Sequence, residues 1–138
     1  MSLKNYGVAN TYLEVGGREI DDLPENATYS IEYTQNLNSM RVGLNGKGIK
    51  MPRPNKPIRI TIPNMPGTES SAYLQGLLNE GTTVSAVHQM LTGEETINGY
   101  DGVVVTKQTL TRGGVTADDV SNDVYVIEFV NSETKLSG

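Results

Sequence analysis

Short runs of alternating apolar and polar residues, separated by Gly and Pro, constrain the fold of this chain more than any other feature. Residues 27–33 (ATYSIEY) carry an apolar side chain at every odd position and a polar one at every even position. Successive side chains of a strand point to opposite faces, so this period of two predicts a half-buried antiparallel strand. Residues 58–62 (IRITI) repeat the pattern between two prolines, which are expected to end the strand.

One segment, residues 68–81, has the period of a helix instead. Its apolar residues between positions 73 and 78 recur at i, i+1, i+4 and i+5, which places them on one helical face. Thr68 or Ser70 is expected to cap the start of this helix, and Gly81 is expected to end it.

The remaining segments complete a mainly β pattern. Strands are also predicted at 11–15, 82–91, 100–110 and 123–130, with a two-residue turn at Gly16-Gly17 and turn-rich acidic joins at 92–99 and 112–122. The predicted fold is an antiparallel β-sandwich or barrel of about seven strands with one short α-helix. With 138 residues, the chain is expected to form a single domain spanning 1–138.

A long connection interrupts the strands. Residues 34–57 form a 24-residue segment, whereas structureless loops above about 12–15 residues are uncommon in compact domains. Asn45-Gly46, near its middle, is a strong hairpin-turn dipeptide. Two legs of about ten residues would make an inserted arm about 30 Å long. Its apolar content is thin, so the arm is expected to stay loose or to pack on a neighbour.

Charge is divided unevenly along the chain. Residues 33–68 hold six Lys and Arg and no carboxylate, whereas the remainder holds five basic and sixteen acidic residues, so the net charge of −5 joins a basic arm to an acidic body. The segment is either a solvated loop or a surface that meets an acidic partner, such as another copy of the chain. The candidate contact residues are Arg41, Lys47, Lys50, Arg53 and Lys56.

No pattern predicts catalysis, a metal site or a cofactor. The chain has no Cys, and its one His, His88, lies in a strand-like run and is expected to be a core or surface residue. The carboxylate pairs lie in polar turns, where solvated acids are expected, and residues 43–48 lack the ending of a phosphate-binding loop. No apolar run approaches the roughly 20 residues of a membrane-spanning helix, and the start lacks a signal-peptide core, so assembly in a cytosol is expected.

An alternative function is a β-barrel binding module whose basic loop grips nucleic acid or an acidic glycan. Six cations without interleaved aromatic residues would contact phosphates but would not stack on bases. The acidic body would oppose that binding.

The order of features resembles the tail tube proteins of tailed phages and related contractile injection particles. The resemblance covers about residues 10–130. It rests on the order and spacing of YLEVGGREI, ATYSIEY, a long insertion with the tip GLNGKG, IRITIPNMPGTESSAYLQGLL and RGGVTADDVSNDVYVIEFV.

The resemblance implies a structural protein that forms hexameric rings, which stack into a hollow tube in the virion tail. It implies that the arm at 34–57 reaches the next ring, and that sheath, baseplate and tail terminator proteins are partners. It also implies that DNA or cargo passes through an acidic bore without specific binding. Candidate acidic contact or lumen positions are Glu94, Glu95, Asp118 and Asp119.

Overall fold

The structure is a computed structural model, which describes residues 11–21, 23–24, 28–43, 46–52, 54–90, 95–108, 110, 112–113 and 120–136. Nine strands and one helix form within these residues. They are β1 (Thr11–Val15), β2 (Arg18–Glu19), β3 (Ser30–Tyr33), β4 (Asn38–Val42), β5 (Gly48–Pro52), β6 (Ile58–Asn64), α1 (Glu69–Glu80), β7 (Val84–Met90), β8 (Glu95–Lys107) and β9 (Asp123–Leu136). The prediction of a mainly β fold with one short helix is confirmed.

Seven strands form one antiparallel sheet in the order β2-β1-β7-β8-β9-β6-β3, and β4 and β5 form a separate two-stranded sheet. The large sheet curls on itself. Tyr29, directly before edge strand β3, places its hydroxyl 2.6 Å from His88 Nδ1 on β7 and 3.5 Å from the Tyr12 carbonyl on β1. The two ends of the sheet are therefore joined by side chains in a barrel-like closure.

The interior is filled by every second residue of the strands, together with one face of α1. Ile58, Ile60 and Ile62 are each at most 1% exposed, as their alternation predicted. The other buried apolar residues are Leu13, Val15, Ile20, Leu74, Leu77, Ala86, Val104, Tyr125, Val126, Ile127 and Phe129.

Local capping chemistry sets the ends of α1. The Thr68 hydroxyl accepts a hydrogen bond from Ser71 N (3.4 Å), so Thr68 is the N-cap, and Ser70 lies buried in the first turn. Gly81 takes the left-handed conformation (φ 66°) and donates its N–H to Leu77 O (2.9 Å). Both ends agree with the sequence-based expectation.

The paired strands β8 and β9 are longer than predicted. They pair from Glu95↔Leu136 to Lys107↔Tyr125, so part of the expected turn at 92–99 is strand. The Asn98-Gly99 dipeptide is not a turn because Gly99 lies under an aromatic ring. A Cβ at Gly99 would lie 2.9 Å from the Phe129 ring, and one at Gly102 would overlap it. These glycines serve packing rather than chain reversal.

None of the helical structure in the described ranges is long and apolar enough to cross a lipid bilayer.

Candidate assembly surface

The arm at 34–57 contains a β-hairpin outside the main sheet. Strands β4 and β5 pair from Asn38↔Pro52 to Val42↔Gly48. At the tip, Gly43 N donates to Lys47 O (2.9 Å), and Gly46 N donates to Gly43 O (3.0 Å). Gly46 has a φ of 82°, which favours glycine. The reverse turn lies where the Asn45-Gly46 dipeptide was placed, although Asn45 itself lies outside the described residues.

The regular part of the arm is shorter than the predicted legs of about ten residues. Each strand has five residues, which span about 17 Å at the usual rise. At the root, Thr34 N donates to Pro57 O (3.2 Å), which closes the two legs where they leave the main sheet.

Large apolar side chains project from both faces of the hairpin. Met40 (68% exposed) and Val42 (71%) lie on one face, and Ile49 (61%) and Met51 (44%) lie on the other. An isolated two-stranded hairpin is marginally stable in water, and clustered exposed apolar residues mark interaction surfaces. The hairpin therefore has the chemistry of a surface that packs against a partner.

Cations accompany these apolar residues. Arg41 lies on β4, Lys50 on β5 and Lys47 beside the turn, and all three are exposed. Lys56 lies at the root and is also exposed, and Arg53 falls outside the described residues. The hairpin therefore presents positive charge and apolar surface together.

Arg59 is counted in the basic segment by sequence, but it belongs to the sheet. Its guanidinium makes two bonds to Glu128 on β9 (3.0 and 2.9 Å) and one to Glu32 on β3 (2.9 Å). The three residues are cross-strand neighbours in register. Its charge is matched on the outer sheet face, so the sequence leaves five cations for the arm.

Glu95 is the one described residue among the four acidic candidates. It begins β8, and its carboxylate lies 3.0 Å from Nε2 of buried His88. A proton on Nε2 lets His88 donate to Glu95 and accept from the Tyr29 hydroxyl, which satisfies all three groups. Glu94, Asp118 and Asp119 lie outside the described residues.

Other carboxylates lie on the outer face of the curled sheet. Glu14 lies between buried Leu13 and Val15, and faces Glu19 across the β1–β2 hairpin. Asp101 is exposed within β8 at a φ of 56°. Sequence reasoning concentrated on acidic turns and missed these positions. The alternation of TYLEV already placed Glu14 on the outer face.

A buried polar cluster attaches α1 to the sheet. Asp123, 3% exposed, accepts from Ser71 Oγ (2.5 Å), contacts Arg112 and lies 3.8 Å from Lys107 Nζ. Burial by itself would raise the pKa of Asp123. The Ser71 and Arg112 hydrogen bonds and the Lys107 charge outweigh burial and hold that pKa below its usual range. Across the described part of the chain, no three His, Cys, Asp or Glu residues are grouped to hold a metal ion.

A shallow groove of about 350 Å³ lies between the arm root and the β8–β9 pair. It is lined by Pro54, Lys56, Tyr100, Asn131, Ser132, Glu133 and Thr134. The groove is open and largely polar, so it lacks the apolar enclosure that is typical of small-molecule sites.

Comparison with known proteins shows similarity in structure alone. No protein-family model and no curated protein matches the sequence. The tube-terminating cap of the anti-feeding prophage matches with a TM-score of 0.60 at 8% identity, over 99% of this chain and 95% of that one. A chain from the sheath–tube complex of the PVC extracellular contractile injection system matches with a TM-score of 0.57 at 18% identity, over 94% and 90%. Hcp1 from Flavobacterium johnsoniae matches with a TM-score of 0.50 at 12% identity, over 92% and 95%. At these identities, the likeness establishes a shared fold over nearly the whole chain.

Proposed function

We propose that this chain is a structural tube subunit of a contractile injection particle, and that it assembles with copies of itself. The observation that supports this proposal most is the arm hairpin, which exposes basic and apolar side chains. It projects from a fold that the chain shares over nearly its whole length with components of such particles. The geometry of the described residues offers no assembled catalytic centre, and their interaction chemistry lies on surfaces.

The arm is proposed as the contact between subunits in successive rings. Its apolar side chains gain stability when a neighbour covers them, and Arg41, Lys47, Lys50, Arg53 and Lys56 would face carboxylates there. The same two surfaces meeting at every step make a heterologous contact, which closes into rings or extends as a filament. Stacked hexameric rings around a bore are the proposed arrangement.

Acidic outer positions such as Glu14, Glu19 and Asp101 would supply the complementary surface or line the bore. DNA or cargo would then pass without specific binding, because carboxylates repel phosphates over a Debye length of about 8 Å at physiological salt. The proposed partners are a sheath, a baseplate and a tail terminator, and the proposed location is a virion tail or a related particle assembled in a host cytoplasm.

A tube-terminating subunit is the second candidate. The similarity to the anti-feeding prophage cap covers almost the whole of both chains, and it supports a role at the end of a tube. A terminator caps one ring, whereas a tube subunit polymerises, so the two candidates differ in whether the chain stacks with itself.

Electron microscopy of the purified chain across a concentration series tests the proposal. Stacked rings would support a tube subunit, single rings would support a terminator, and a strict monomer at high concentration would count against both. The double variant Lys47→Glu, Lys50→Glu is expected to lose stacking, because it reverses charge on the arm. Lys135→Glu, at an exposed position near the end of β9, is the charge-reversal control outside the arm and is expected to stack.

The same purified chain can be used to test the alternative function, a binding module for nucleic acid. Salt-sensitive retention of single-stranded DNA at physiological ionic strength, abolished by Lys47→Glu, Lys50→Glu, would support that module and overturn the tube subunit.

A further inference from the structure

A proline stops the sheet at the root of the arm. Strand β6 pairs with β9 from Asn64↔Asp123 to Ile58↔Phe129. The next residue outward, Pro57, accepts a hydrogen bond from Thr34 N at its carbonyl (3.2 Å) but has no N–H to return a bond on that side, so the β3–β6 ladder ends there. The returning leg of the arm is therefore free to leave the plane of the sheet.

Side chains of β9 replace the missing ladder. Lys56 N donates to Asn131 Oδ1 (2.9 Å), and the Ser132 hydroxyl donates to Lys56 O (2.7 Å). Asn131 Oδ1 also accepts from Ser132 N (2.9 Å), which orients the amide. Ser132 is 6% exposed, although its polar neighbours in sequence suggest a solvated segment. Both backbone polar groups of Lys56 are thereby held without a strand pairing.

The outgoing leg is attached to the same stretch of β9. The Tyr33 hydroxyl lies 2.9 Å from Thr134 Oγ1, directly before Thr34 closes on Pro57. Both legs are thus tied to residues 131–134, so the hairpin leaves the body from a root fixed on two sides.

We infer that Asn131 and Ser132 are positioning residues that set the direction of the arm in the free subunit. An arm held in one direction needs little ordering when it meets a partner, and such preorganisation increases affinity. The consequence for assembly rests on the proposed function, but the direction of the arm is a property of the single chain and is measured separately.

Double electron–electron resonance measures that direction, and the chain contains no Cys that would compete for the labels. Spin labels at Lys50→Cys on the arm and Glu80→Cys at the end of α1 report the distance from arm to body. We expect a narrow distance distribution in the parent and a broad one in Asn131→Ala, Ser132→Ala. Asn131→Asp keeps the acceptor oxygen and is expected to stay narrow, as is the matched control Asn98→Ala, Ser85→Ala.

An unchanged distribution in Asn131→Ala, Ser132→Ala would overturn the inference. If that variant does not fold, Asn131→Ala alone removes two of the three bonds while leaving buried Ser132 in place, and the same outcomes apply.

For assembly, the critical concentration of the unlabelled double variant should rise on the order of tenfold, which is the effect of about two net hydrogen bonds. A broad distribution with an unchanged critical concentration would refute the assembly role. A parent that never assembles would refute the proposed function, and the distance measurement would still decide the inference.

Discussion

At the residue scale, one aromatic side chain occupies the space that side chains at two glycine positions would need. Phe129 is the single Phe of the chain, and its ring covers the backbone of Gly99 and Gly102. Neither glycine has a positive φ, so space rather than backbone conformation excludes a side chain. The absence of a Cβ atom at both positions leaves room for the Phe129 ring to lie over β8 within the core.

Gly102→Ala is therefore expected to lower the free energy of unfolding by about 1–3 kcal/mol, because the new Cβ overlaps the Phe129 ring. Gly76→Ala in α1 is the matched control, since its Cβ meets nothing within 4 Å and removing a helical glycine should raise stability by about 0.5–1 kcal/mol. Urea unfolding of both variants checks the pair. Equal stability of Gly102→Ala and the parent would show that the ring can move aside.

At the element scale, the hairpin strands of the arm and the strands of the body belong to separate sheets. Strands β4 and β5 pair with each other, whereas the seven other strands share one sheet. The large apolar side chains of β4 and β5 are exposed rather than part of the core. Under the proposed function, such an element would contribute to contacts between subunits more than to the stability of its own subunit.

Replacing residues 38–52 by Asn-Gly is expected to leave the body folded, with stability changed by no more than about 1 kcal/mol, because few buried contacts are lost. The two excised ends are register partners, so a two-residue turn can join their neighbours. Circular dichroism and thermal unfolding measure the fold, and electron microscopy measures assembly, which should be lost. If the shortened chain still formed tubes, the arm would not be the contact between successive rings.

At the scale of the whole molecule, side chains join the two ends of the curled sheet. The Tyr29 hydroxyl bridges to His88, and the two rings meet edge to face at 5.5 Å. Burial raises the pKa of Tyr29, and the negative charge of Glu95 raises it further, against a lowering hydrogen bond from Thr11. The neutral phenol is the form that the fold requires.

Tyr29→Phe is expected to cost about 1–2 kcal/mol at neutral pH, because His88 loses a partner. The folded pKa of Tyr29 lies above the unfolded value of about 10, so the parent loses stability as pH rises from about 10 through the folded pKa. Tyr29→Phe lacks this loss. The difference in free energy of unfolding between the parent and Tyr29→Phe should therefore narrow in alkali. A hydrogen bond to Glu14 raises the pKa of Tyr12 to about 12. Because Tyr12 is present in both proteins, its effect on stability cancels in the comparison.

Unfolding of the parent, Tyr29→Phe and the exposed control Tyr100→Phe across this pH range provides the check. If the difference in free energy of unfolding between the parent and Tyr29→Phe stays constant above about pH 10, the Tyr29 phenol ionises as easily in the folded as in the unfolded chain.

Much of the fold was predictable because the signals were local. The inward isoleucines of β6, the Thr68 and Gly81 helix ends and the Gly16-Gly17 turn all appeared where their patterns placed them. Alternation and capping depend on neighbours within a few residues, which a sequence displays directly. The expected turn at 92–99 was wrong in part for the complementary reason, since Gly99 packs against the Phe129 ring, about thirty residues away.

The sequence by itself determined the strands, the helix, and the separation of a basic segment from an acidic remainder, because these depend on residue order and composition. Only the tertiary structure decided which charges are free. Folding paired Arg59 with Glu128 and Glu32, turned Glu95 toward His88 and made Asn131 and Ser132 the attachment of the arm. These contacts join residues 7 to 76 positions apart, and their partners are set by strand register and sheet curvature rather than by any local pattern.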